Sequence, residues 1–205
     1  MSLKDFEKIY PGIRNGEGYG TDKFLLGYVH DFYAEHFDPI KDKVKSVMEI
    51  GIGYAPGGDS ILLWHEFFNN AKIYGLDIKT RPDRPEFQID QPRIKLFSET
   101  DAYTEKMVYV MSNLEPDGYD IFIDDGPHTF DTMAFAIKHY LPLVKSGGIF
   151  VIEDIVDPSW TPKLCEMVDP AVGYVKIYDM RNRQRHNFWL ETWKNGLDVI
   201  VVQKV

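Results

Sequence analysis

From residue 44 onward, apolar runs of strand length alternate with stretches whose apolar positions recur every three or four residues. This rhythm predicts strands at 44–53, 71–78, 93–99, 119–125 and 147–154, because a near-continuous β-branched and aromatic run suits a strand covered on both faces. Helical periodicity marks 60–68, 103–114 and 129–141. Between 79 and 92 the stretch is rich in Pro and Arg and predicts a loop instead of a helix. The last two apolar runs, 173–180 and 197–205, have no helix of adequate length between them, so they should pair antiparallel.

Seven strands in this order predict an α/β protein with a Rossmann-like, doubly wound, mostly parallel seven-stranded sheet that closes in an antiparallel C-terminal strand. Residues 1–43 read as a helical N-terminal extension, with the aromatic-rich stretch 24–37 packed across a sheet edge or over a mouth as a lid. Residues 44–205 form the main domain. At 205 residues, 44% of them hydrophobic, the chain can bury one core without staples.

Charge narrows the partners. Thirty-two acidic against 23 basic side chains give a net charge of −9, which repels a phosphate backbone. No nucleic-acid partner and no membrane span are expected. The single cysteine, Cys165, and a charged N-terminus fit a soluble cytoplasmic protein. Homo-oligomer formation is left open.

Ligands of open α/β sheets bind beyond the carboxyl ends of the strands, which directs attention to four loops. After the first strand comes Glu49-Ile50-Gly51-Ile52-Gly53. The glycines permit close backbone approach to a ligand, or an ordinary tight turn. A dinucleotide fingerprint would need a third glycine where Pro56 stands, so a nicotinamide cofactor is disfavoured. Asp77 ends the second strand, where a carboxylate can take ribose hydroxyls. Asp101, after the third strand, is a further ligand contact or a helix N-cap. The fourth strand ends in Asp124-Asp125-Gly126-Pro127-His128 and the fifth in Glu153-Asp154. Carboxylates crowded this closely raise one another's pKa unless a cation neutralises them, and oxygen ligands favour a hard ion such as magnesium. Alternatively, Asp124 and Asp154 cap the structures that follow them. His128 can face the same cavity, and imidazole suits proton abstraction near neutral pH.

Glu49-x-Gly51-x-Gly53 with Asp77 resembles the class I S-adenosylmethionine-dependent methyltransferases over residues 44–205. DDGPH at 124–128 and VIED at 151–154 are similar to the DDGSH and IED signatures of the magnesium-dependent macrolide and sugar O-methyltransferases, as is GYGTDKFLLGYVHDFY at 18–33 to their GTDK segment. The resemblance implies that Glu49, Gly51, Gly53, Asp77, Asp101 and Asp124 bind the cofactor. It further implies that Asp125, Glu153 and Asp154 hold Mg2+, that His128 is the general base, and that His128 and Asp125 are the catalytic residues. The acceptor would be a hydroxyl of a sugar-like small molecule. Pro127 departs from the serine of the signature. Competing readings are a catechol-type O-methyltransferase and a noncatalytic S-adenosylmethionine-binding subunit. Tyr19, Tyr28, Tyr33 and Trp160 are lid or packing residues, and Arg181, Arg183, Arg185 and His186 form a small basic patch.

Overall fold

The computed structural model describes residues 1–10, 21–53, 58–79, 91–181 and 197–205. Seven strands form one sheet: β1 (Ser46–Ile50), β2 (Lys72–Leu76), β3 (Ile94–Phe97), β4 (Tyr119–Asp124), β5 (Val144–Ile155), β6 (Gly173–Asp179) and β7 (Asp198–Lys204). Their order is β3-β2-β1-β4-β5-β7-β6. Strands β1 to β5 run parallel, and β7 lies antiparallel between β5 and β6. The order reverses at β1 and β4, so the loops after these strands flank the crevice where such folds bind ligands.

Strand alternation sends successive side chains into two cores. Val47, Ile73, Ile121, Ile123, Val151 and Val201 face one side, with α3 (Asp59–Phe67) and the N-terminal segments. Met48, Leu76, Phe122, Phe150 and Ile152 face the other, with α4 (Glu105–Leu114), α5 (Phe130–His139) and α6 (Trp160–Glu166).

The N-terminal extension is helical only in short pieces: a 3-10 turn at Leu3–Lys8, α1 (Asp22–Leu25), a π-helical turn at Val29–Tyr33 and α2 (Ala34–Phe37). Gly27, at φ +79°, interrupts the periodic stretch. Leu3, Phe6, Phe24, Val29, Phe32 and Phe37 are nevertheless buried in the same core as the sheet, so the extension is a layer of the domain.

Several elements depart from the sequence reading, β1 among them, which stops at Ile50 and leaves Gly51–Gly53 to the loop. Strand β5 begins at Val144, ahead of the expected Gly147, because it pairs with β4 across a register shift between Tyr119 and Ile121. Helix α5 stops at His139, where Leu141–Leu143, with Pro142, turns into a 3-10 segment. Helix α6 went unpredicted: it is one to two turns long and contains Pro162. Thr161 anchors it by donating to Asp198 Oδ2 at 2.7 Å.

Candidate active site

The β1 loop and the β4 loop touch. Gly51 has φ +83°, and a Cβ there would lie 1.8 Å from the carbonyl oxygen of Asp125, so only glycine fits. A Cβ at Gly53, at φ +80°, would meet nothing within 4 Å among the described residues. Asp77 pins this loop: its Oδ2 accepts from the amides of Ile52 at 2.9 Å and Gly53 at 3.1 Å, while Oδ1 accepts from Lys79 at 2.8 Å. The carboxylate expected at a ribose therefore also shapes the loop. Tyr54, Ala55, Pro56 and Gly57 lie outside the described residues, as do Tyr19, Arg183, Arg185 and His186.

Asp125, His128 and Asp154 converge. One ligand atom from each lies within 4.8 Å of the others. His128 Nε2 is 3.8 Å from Asp125 Oδ1 and 3.9 Å from Asp154 Oδ2. His128 and Asp154 have φ of +57° and +55°, left-handed conformations that are uncommon outside glycine. Two such residues at one spot indicate backbone held against its preference, a feature that clusters at functional sites.

Glu153 points elsewhere. Its Oε1 accepts from Lys23 Nζ at 2.6 Å and from the Tyr33 hydroxyl. Lys23, carried on α1 and 1% exposed, also reaches Asp125 Oδ2 at 2.8 Å and Glu49 Oε1 at 3.3 Å. Thr21 positions it, capping α1 by accepting from the Lys23 amide at 3.3 Å. Burial opposes the ammonium's charge, but Asp125, Glu153 and Glu49 together hold its pKa well above the ordinary value. Burial likewise drives Glu153 well above the usual carboxylate range, with Asp125 adding to the effect.

Glu49 sits beneath the loop, fully buried, with Trp64 Nε1 donating to its Oε2 at 2.7 Å. Burial pushes its pKa up to about 7, against the pull of Lys23. Asp124 is pushed to about 7 by burial, although the Tyr103 hydroxyl donates to it. Asp154, which accepts from the Tyr28 hydroxyl, is raised by burial to about 6.

The capping alternatives do not describe these residues. Thr104 caps α4 and Thr129 caps α5 through their own hydroxyls. Asp101 is exposed, and its Oδ1 accepts from the Tyr103 amide at 2.9 Å in a local turn. Trp160 packs edge-on against Phe130, outside the acidic cluster. Among the other histidines, His30 pairs with Glu7 and His36 with Tyr178. Arg181 pairs with Asp179 and Asp198.

Sequence reasoning missed Lys23, Trp64 and Tyr103 as partners of the acids. For Lys23 a signal existed: a lysine just after a Thr cap, at the head of the apolar run 24–26, within a chain whose acidic loops needed a cation.

No family model matches the chain. It is 32% identical over 159 residues to mycinamicin VI 2''-O-methyltransferase of Micromonospora griseorubida, covering 74% of this chain and 37% of the relative. It is 29% identical over 146 residues to 8-demethyl-8-alpha-L-rhamnosyl tetracenomycin-C 2'-O-methyltransferase of Streptomyces olivaceus, covering 69% and 37%. The chain thus spans little more than a third of the curated relatives it matches. In fold it matches the MycE methyltransferase from the mycinamycin biosynthetic pathway, solved in complex with Mg and SAH, with a TM-score of 0.67, 23% identity, and coverage of 100% of this chain and 55% of that one. Sequence likeness to two curated O-methyltransferases, joined to this strand order and this loop geometry, places the chain in the family of class I S-adenosylmethionine-dependent methyltransferases.

Proposed function

We propose that the chain is the catalytic domain of an O-methyltransferase that transfers the methyl group of S-adenosylmethionine to a hydroxyl of a sugar or similar polyhydroxylated small molecule. The observation that carries this reading is the convergence of Asp125, His128 and Asp154 beside the Gly51–Gly53 loop. The relatives, named as O-methyltransferases acting on mycinamicin VI and on a rhamnosyl tetracenomycin, support the acceptor class.

Two carboxylates and an imidazole at this spacing fit a hard divalent cation such as Mg2+, held by Asp125 and Asp154 next to His128. Such an ion, when bound, lowers the pKa of an acceptor hydroxyl and orients it. Glu153, expected as a third ligand, is engaged by Lys23 and Tyr33 in this structure. The remaining work falls to the protein. At Gly53 no described residue crowds the β1 loop against the cofactor, with Asp77 at its ribose side and Asp101 and Asp124 toward its base. His128 Nε2 faces the carboxylate pair and takes the acceptor's proton. The acceptor oxygen forms a bond to the methyl carbon as the carbon–sulfur bond breaks, and S-adenosylhomocysteine leaves. Because the sulfonium is already activated, in-line placement supplies most of the acceleration. The buried Tyr28 and Tyr33 orient the acids by donating their hydroxyls to Asp154 and Glu153. A cytoplasmic location suits the single half-buried Cys165, and the net charge of −9 supports a small-molecule acceptor over a nucleic acid.

Calorimetric titration with S-adenosylmethionine and S-adenosylhomocysteine, with and without Mg2+, on wild type and Asp125→Ala tests this reading. Nucleoside binding with a magnesium effect lost in Asp125→Ala, followed by methylation of rhamnosides in an acceptor screen, is expected. Absence of nucleoside binding would sink the cofactor assignment, and turnover of catechols alone would move the acceptor class to aromatic diols.

A further inference from the structure

Tyr103 joins the two acids that lie toward the base of the cofactor. Its amide donates to Asp101 Oδ1 at 2.9 Å, and its hydroxyl donates to Asp124 Oδ1. The two carboxylates stand in different surroundings: Asp101 is exposed, whereas Asp124, at the end of β4, is 2% exposed. A buried carboxylate whose oxygen already accepts from a hydroxyl has little surface left for a ligand, so Asp124 serves Tyr103 and Asp101 faces the solvent side.

Gly126 supplies an independent observation. Its φ lies outside the left-handed range that would by itself call for glycine, yet a Cβ there would lie 2.0 Å from the Tyr103 hydroxyl oxygen and 3.0 Å from Cζ. The missing side chain at 126 therefore makes room for the tyrosine. The Tyr103 ring packs edge-on against Phe135 of α5, with centroids 5.9 Å apart, and the adjoining Ala102 carbonyl accepts from the buried Tyr140 hydroxyl. Residues 101–103, which follow β3, are thus fixed both to α5 and to the β4 loop. We propose that Tyr103 is a positioning residue for the base end of the cofactor: anchored by Asp124 and admitted by Gly126, it holds the exposed Asp101 carboxylate at the cleft, and Asp124 acts through it. This role deepens the methyltransferase reading above and rests on it.

The experiment is calorimetric titration of wild type, Tyr103→Phe, Asp124→Ala and the double variant with S-adenosylhomocysteine and with methylthioadenosine, which carries the base and ribose without the amino acid. Tyr103→Phe should raise both dissociation constants by the same factor, about tenfold, on the scale of one hydrogen bond to a carboxylate. Asp124→Ala should raise them as well, and the double variant should bind no worse than the weaker single variant, the non-additivity expected of two residues acting as one unit. Gly126→Ala should lower Tm, and adding Tyr103→Phe should recover part of the loss, because the nearest clash is with the hydroxyl. Unchanged nucleoside affinity in Tyr103→Phe overturns the proposal, as does a loss confined to S-adenosylhomocysteine, which would place the effect at the amino-acid end. Additive losses in the double variant would give Asp124 a cofactor contact of its own and also overturn it. Each of these outcomes leaves the cofactor reading intact. Absence of nucleoside binding in wild type overturns the cofactor reading and the proposal together.

Discussion

Gly51 and Asp125 are in backbone contact: the Asp125 carbonyl oxygen occupies the place where any side chain at residue 51 would begin. The β1 loop and the β4 loop are therefore one mechanical unit. Gly51→Ala must push the β4 loop away and hold φ at +83°, which should cost about 3 kcal/mol or more and lower Tm by at least about 6 °C. Gly53→Ala meets no neighbouring atom among the described residues. Its cost is the left-handed backbone alone, about 1–2 kcal/mol, so it should fold. It should still weaken S-adenosylhomocysteine binding if the cofactor lies over that loop. Thermal melts and nucleoside titration of the two variants separate these effects.

Asp77, just past β2, supports the same loop by accepting from two of its amides, Ile52 and Gly53, and accepts a third from Lys79 beside it. Asp77→Ala should destabilise by about 2–4 kcal/mol, since hydrogen bonds to a charged acceptor exceed the neutral average. Asp77→Asn retains one acceptor oxygen and should fall between. Nucleoside affinity should drop in the same order. Affinity unchanged in Asp77→Ala would show that the carboxylate serves the loop only.

His128 combines a left-handed backbone with a base-like position. Asparagine tolerates that backbone better than most residues but cannot take a proton at neutral pH. His128→Asn should therefore keep a Tm close to wild type and lose about 10²–10⁴-fold in kcat. A similar kcat in the variant would remove His128 as the base.

His36 joins the N-terminal layer to β6 through the Tyr178 hydroxyl at 2.8 Å. Burial lowers its pKa below the ordinary 6.5, despite the opposing Glu35. The unfolded chain consequently binds a proton in a window just below pH 6.5 that the folded protein resists. By linkage, the contribution of His36 to stability is present above pH 6.5 and is lost as pH falls through that window. Melts of wild type and His36→Gln between pH 7.5 and 5 should show wild type losing the more stability on acidification. Parallel curves would contradict the assignment.

The strands were legible because apolar residues buried on both faces leave a continuous hydrophobic run, visible in segments such as Ile121–Ile123 and Ile149–Ile152. Asp125, His128 and Asp154 were legible for a related reason: strand ends in this fold converge, so acids placed there in the sequence meet in space. The short helices were less legible: α1 and α2 fall inside the stretch read as a helical extension, without their bounds, and α6 escaped. Segments of four to seven residues, as in α1, α2 and α6, show less than two full turns of periodicity, and tertiary contacts decide whether they form.

The sequence alone thus determined the sheet, its antiparallel closure and which acids and histidine meet beyond the strand ends, since these follow from local periodicity and from where strands end. Only the tertiary structure decided which of the acids Lys23 meets. Lys23 lies 102 residues from Asp125 and 130 from Glu153, and no local pattern links positions so far apart. Their pairing arises because burying that many carboxylates demands a cation, and the packing of the N-terminal layer brings one within reach.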